Sequence, residues 1–117
     1  MSSDVKVLRP VGILNATCAN KLREVIGDSV QAKQVNILID CAGIEFMDSM
    51  GLSCLIISLK KVRAAGGSLA LTNTNSQIRL LLEVAALEDS FKMNTESLVV
   101  IKTTNWKNES VFYLENL

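Results

Sequence analysis

Residues 35–59, VNILIDCAGIEFMDSMGLSCLIISL, decide the fold. Val35-Asn36-Ile37-Leu38-Ile39 is a nearly continuous apolar run, the pattern of a strand covered on both faces. Beyond Asp48-Ser49-Met50-Gly51, the residues Leu52, Leu55, Ile56 and Leu59 recur at i, i+3, i+4 and i+7, the spacing of one helical face. The turn between these segments sets a serine hydroxyl where a buried strand ends and a helix begins. Amides in a first helical turn lack helical partners. A phosphate added to that serine would find donors and a favourable dipole there, and it would change the local charge. The turn reads as a switch more than as a catalytic site.

The same reading extends outward in both directions. The helix runs to Gly66-Gly67, with Lys60, Lys61 and Arg63 near its negative end. Ser68–Thr72 (SLALT) reads as the next strand. Residues 73–76 form a polar turn capping a third helix, whose inward face is Ile78, Leu81, Leu82 and Ala85. Phe91-Lys92-Met93 reads as a short final strand. Upstream, Val5, Val7, Val11 and Ile13 predict extended chain, with Pro10 and Gly12 marking a bend or bulge. Asn15 is placed to cap a first helix on which Cys18, Leu22, Val25 and Ile26 share a face. Strands alternating with helices imply right-handed crossovers and parallel neighbours, so the fold class is α/β.

Composition bounds the function. The 117 residues fit one domain with a single core. Lys+Arg and Asp+Glu number 12 each, so no net field steers the protein to nucleic acid or to anionic lipid. The first residues, MSSDVKVLRP, show no apolar signal region, and no apolar run is long enough to cross a bilayer. The three cysteines (Cys18, Cys41 and Cys54) are odd in number, lack CxxC spacing and stand in apolar surroundings; they read as small buried residues in a reducing cytosol. With no histidine, a zinc site or a Cys–His nucleophile is not expected. Asp40 and Asp48 border one loop and make a weak case for a metal pair. Gly66-Gly67 follows a helix and precedes a strand, the reverse of a P-loop's order. No metal or cofactor is expected on this chain.

A set of short strings then falls in a familiar order: Gly12-Ile13-Leu14-Asn15, Ile39-Asp40, Phe46-Met47-Asp48-Ser49-Met50-Gly51-Leu52, the basic helix end with its double glycine, and Asn75-Ser76-Gln77-Ile78-Arg79-Leu80-Leu81. With these pieces at these spacings, from residue 7 to residue 93, the chain resembles a stand-alone STAS domain of the bacterial anti-sigma factor antagonist type. The resemblance implies a STAS-like domain over residues 1–94, a mixed and mainly parallel sheet packed against amphipathic helices, with residues 95–117 as a divergent tail that is either part of the same domain or appended to it. It also implies a cytoplasmic partner switch that is not an enzyme. In such proteins the serine after the aspartate is phosphorylated by an anti-sigma factor that is itself a serine kinase of histidine-kinase-like ATPase fold. The unmodified antagonist binds that kinase and frees a sigma factor, and a PP2C-type phosphatase later removes the phosphate.

Carried over, the phosphoacceptor is Ser49, with Asp48, Met50 and Gly51 shaping its loop and helix start. Asn15, Ile44, Phe46, Met47 and Met50 are the expected partner contacts. ATP then belongs to the kinase, and neither nucleic acid nor membrane is contacted. Asp48 and Ser49 also have a plainer reading as helix caps, and Gly51 permits close approach of either a partner backbone or the chain's own.

The departures from the family pattern carry expectations of their own. Met50 stands where a second serine is usual, and Asn15 stands where an aspartate is frequent, which keeps the capping role without the charge. Ala86 occupies the place of a common glycine, so a turn of positive φ there would have to be built differently. The usual first strand looks shortened or absent. Residues 95–117 do not resemble the acidic helix that normally closes the domain; the runs Leu98-Val99-Val100-Ile101 and Val111-Phe112-Tyr113-Leu114 predict instead a hairpin or partner-binding arm covering the edge left open. An uncovered edge makes the alternative to a monomer a homodimer through that edge or through the tail. Two other functional classes stand behind the phosphorylated regulator. One is a STAS-type interaction module in a signalling or transport complex without a phosphorylation cycle; the other is a small enzyme, for which no base stands beside Ser49.

Overall fold

The fold follows from where the apolar runs are buried. The structure, a computed structural model, describes residues 5–87, 98–104 and 110–116. In chain order the elements are β1 (Val5–Leu8), β2 (Gly12–Leu14), α1 (Ala16–Gln31), β3 (Asn36–Asp40), β4 (Ile44–Met47), α2 (Ser49–Ala64), β5 (Ser68–Thr72), α3 (Ser76–Leu87), β6 (Leu98–Thr104) and β7 (Ser110–Asn116). A five-stranded sheet has the order β1-β3-β5-β7-β6. Its first three strands are parallel, as the α/β reading requires, and β7 and β6 close it in antiparallel sense. A second, two-stranded parallel sheet pairs β2 with β4. The expected mixed, mainly parallel architecture packed against helices is what forms.

The core lies between the sheet and the helices. Ile37 and Ile39 of β3 and Leu69 and Leu71 of β5 meet Leu52, Leu55, Ile56 and Leu59 of α2, the four positions picked out by periodicity. Helix α2 stops at Ala65, beyond which Gly66 takes φ +83°. The Gly67 and Gly66 amides then donate back to the carbonyls of Val62 and Arg63, satisfying groups that the helix end leaves unpaired.

Several expectations are corrected. On α1 the buried residues are Ala19, Leu22, Ile26 and Ser29, whereas Cys18 and Val25 face solvent. This face packs on α2, where Gly27 approaches Lys61. Which face of α1 is buried is set by what it packs against, not by the hydrophobicity of single residues. The buried Ser29 hydroxyl donates to the Gln34 carbonyl at 2.7 Å. The chain from Ile44 to Met47, read from sequence only as approach to the serine turn, is a strand. Ala86 lies within α3, so no turn of positive φ is required there. The β6–β7 hairpin joins the sheet along β5, at the opposite side from β1, so it does not cover the edge on which it was expected. Phe91-Lys92-Met93 lies outside the described residues. No described helix is long and apolar enough to cross a membrane.

Candidate functional site

The turn between β4 and α2 is built from its backbone. Asp48 has extended backbone angles (φ −96°, ψ 176°), and its Oδ1 accepts the Gly51 N–H at 2.7 Å. That bond is a helix N-cap and makes Ser49 the first helical residue. Ser49 is exposed, and its carbonyl accepts the Ser53 hydroxyl at 2.9 Å. The first turn of α2 lies hard against the end of β2. A Cβ on Gly51 would overlap the Leu14 carbonyl oxygen and lie 2.9 Å from its carbon. The same oxygen accepts the Asp48 N–H at 3.3 Å. The backbone that Gly51 admits is therefore the chain's own.

From the other side the turn is held by α3. Asn75 caps this helix through Oδ1, which accepts the Ile78 N–H at 2.9 Å. Its Nδ2 reaches across to the carbonyls of Ile44 (3.2 Å) and Glu45 (3.3 Å). Gln77 makes a reciprocal pair with Met47, accepting its N–H at 2.9 Å and donating to its carbonyl at 2.7 Å. Arg79 donates to the Thr74 carbonyl and steadies the turn before α3. Strand β4 is thus pinned between β2 and the first turn of α3.

The elements that meet at this serine turn carry exposed apolar side chains. Ile13 and Phe46 are direct partners across the β2–β4 pair, 51% and 46% exposed, and Met50 is 56% exposed. Two expected partner contacts are corrected: Ile44 and Met47 are 4% and 0% exposed and belong to the core. Alternation along β4 is broken where the register shifts between Gly12 and Ile13, so Glu45 and Phe46 both face outward. Asn15 is half-buried, and its Oδ1 accepts the Cys18 N–H at 3.2 Å, the capping role read from the sequence. Ile13 was placed in a strand by its pattern, but nothing local marked it as surface. The roles of Gln77 and of Asn75's Nδ2 were also missed, because their partners stand about thirty positions away and no local pattern encodes them.

The two nearby carboxylates have separate duties. Asp40 accepts hydrogen bonds from Asn73 and the Ala42 N–H, each at 3.0 Å, and pairs with Arg9 at 3.3 Å. These donors, Asn73 first, hold its carboxyl below the usual range. Asp48 is occupied by its cap. Among the described residues no group of three His, Cys, Asp or Glu side chains gathers as metal ligands would. Burial, with a contribution from the Asp40 charge, pushes the Cys41 thiol up to about 12. Cys54 is buried beside Asn20, and Cys18 is exposed, contrary to the expectation of three buried thiols.

Known proteins are similar to this chain in sequence and in fold. A family model described as the STAS domain matches residues 2–98. An anti-sigma F factor antagonist of Paenibacillus polymyxa is 26% identical over 84 residues, covering 71% of this chain and 72% of the relative. A Thermotoga neapolitana homolog of TM1081, provisionally named an anti-sigma factor antagonist, is 30% identical over 91 residues, covering 77% and 80%. Among solved structures, the crystal structure of TM1081 from Thermotoga maritima superposes with a TM-score of 0.64 at 25% identity, covering 72% of this chain and 73% of that one. The anti-sigma factor antagonist SpoIIAA in its unphosphorylated form superposes with a TM-score of 0.59 at 21% identity, covering 71% and 76%, a likeness of fold.

Proposed function

The chain belongs to the STAS domain family, among the anti-sigma factor antagonists, and on that premise we propose that it is a partner switch thrown by phosphorylation of Ser49. Unmodified, it binds an anti-sigma factor that is itself a serine kinase of histidine-kinase-like ATPase fold, and so frees a sigma factor. The kinase brings ATP and its metal. The Ser49 hydroxyl oxygen forms a bond to the γ-phosphorus, ADP leaves, and the hydroxyl proton is released. A PP2C-type phosphatase hydrolyses the ester and restores the binding form. The protein supplies a surface and a hydroxyl, and the partners supply the catalysis.

The observation that carries this reading is an exposed Ser49 at the first turn of α2, with the exposed apolar residues Ile13, Phe46 and Met50 on β2, on β4 and in that same turn. Such a surface suits a partner that removes apolar area from water beside a neutral hydroxyl. A phosphate adds about −1.5 to −2 charges at the centre of that contact. A partner surface fitted to the hydroxyl then meets both a desolvation cost and charge mismatch. A penalty of about 1.4 kcal/mol already weakens binding tenfold, so the switch requires no refolding. Anchors on both sides of the turn favour a change of charge over a change of shape.

Mass spectrometry of the protein from its native host, beside a Ser49→Ala control, tests the proposal. The expected result is a phosphate on Ser49 that is absent from the control, with kinase affinity falling at least tenfold in the modified form. Suppose Ser49 stays bare through growth, stress and starvation, and also with a candidate kinase and ATP. The chain is then a constitutive STAS-type interaction module of a signalling or transport complex.

A further inference from the structure

We propose that Gln77 is the positioning residue of the phosphosite: acting from α3, it fixes the Met47 backbone and so the direction in which Ser49 presents its hydroxyl or its phosphate. The inference rests on the reading of Ser49 as the modified residue, and it concerns how that residue is held.

The geometry is a side-chain amide standing in for a neighbouring strand. Strand β4 pairs with β2 on one side. Gln77 receives the Met47 N–H at 2.9 Å and donates to the Met47 carbonyl at 2.7 Å, the two bonds a further strand would have made. The carboxamide offers a full donor and a full acceptor on one rigid planar group, and here both are used on one residue's backbone. Glutamate at this position would keep the acceptor but set a charge against the Met47 carbonyl.

From Met47 onward each residue is tied in turn. The Met47 side chain is buried in the core, the Asp48 N–H donates to the Leu14 carbonyl, and the Asp48 carboxylate takes the Gly51 N–H. Ser49 and Met50 are left as the exposed side chains of the turn. Gln77 is the member of this chain of restraints that comes from a different helix. It lies outside the serine turn and is half-buried, so it can be changed without touching the partner-facing residues.

The test installs phosphoserine at position 49 of the full-length chain by encoded incorporation and follows its phosphorus resonance through a pH titration. A free phosphoserine has its second pKa near about 6. Held against the first-turn amides of α2, the dianion is favoured and the titration moves below that value. In Gln77→Ala and Gln77→Met the midpoint is expected to return toward the free value while helical circular dichroism is unchanged. The methionine variant keeps chain length and packing but neither hydrogen bond, so it decides the matter if the alanine variant does not fold. A Gln77→Met titration that superimposes on the parent, although its Met47 amide exchanges faster with solvent, overturns the inference. So does a parent that titrates like free phosphoserine. Because no kinase is used, the result stands apart from the functional proposal, which fails instead through a bare Ser49 in the native host.

Discussion

Gly51 shows how little freedom the serine turn has. Its missing side chain is occupied by the Leu14 carbonyl, which is backbone and cannot swing aside. Gly51→Ala must therefore push α2 away from β2, and a destabilisation of about 1–3 kcal/mol is expected, the range for overpacking a tight site. Thermal unfolding checks this, and an unchanged midpoint would mean that the two elements slide apart freely. Asp40 makes a second prediction. Its folded pKa lies below the unfolded value near about 3.9, so its bonds to Asn73, Ala42 and Arg9 stabilise the fold above that pH. That contribution is lost as pH falls through the lower, folded value. The difference in unfolding midpoint between the parent and Asp40→Asn should be largest near about pH 6 and shrink toward about pH 2. A gap independent of pH would assign the effect to geometry rather than to charge. Residue roles of this kind were only half legible beforehand. The cap by Asp48 could be read because its acceptor and the Gly51 N–H are three positions apart, whereas the Asp40 ties depend on Asn73, thirty-three positions away.

At the scale of elements, legibility followed the length and regularity of each pattern. Helix α2 was readable because its four inward positions keep one spacing over two turns and a double glycine ends it. Helix α1 was readable as a helix, but its buried face was read one step away: Cys18 and Val25 are the more hydrophobic residues, while Ala19 and Ser29 are the buried ones. Strand β4 was missed because it is four residues long with two adjacent residues facing outward, so period two never appears. Its hold on α3 is open to a direct test. Asn75 does two jobs, capping α3 with its oxygen and bonding the Ile44 and Glu45 carbonyls with its nitrogen. Asn75→Ala should lose both, at about 1 kcal/mol for the cap. Asn75→Asp keeps the capping oxygen and loses the donor. Amide exchange is therefore expected to show α3 restored in the aspartate variant, with β4 faster in both. Equal protection of β4 in all three proteins would mean that β2 and Gln77 alone suffice to hold it.

At the scale of the whole molecule, 12 cationic and 12 anionic side chains leave no net field, so any discrimination among partners must come from local surface. The sheet also has to be completed at both sides. β1 is one edge, with the exposed Lys6 on it, a residue type that discourages pairing with another chain. β5 is different: Leu69, Ala70, Leu71 and Thr72 are all buried, so this strand cannot serve as an edge. β7 meets it in antiparallel register, Leu69 opposite Leu114 through Thr72 opposite Val111, and Val111 is itself buried. The strand-forming character of the tail was visible in its residues, but the choice of edge was not, because β-propensity is local and pairing is decided by which strand needs covering. Deleting residues 98–117 tests that logic. The shortened chain keeps the serine turn, β2, β4 and α3 in sequence, yet it exposes a row of unpaired β5 backbone groups beside apolar side chains. Self-association through β5 is the expected outcome, read as a concentration-dependent rise in mass by light scattering, with a lower unfolding midpoint at high dilution. A shortened chain that stays monomeric and melts with the parent would mean that β5 is covered by something other than β7. Should it self-associate while a synthetic peptide of residues 98–117 returns it to monomer, the hairpin's part in the fold is to close this edge, and partner recognition is left to the serine face.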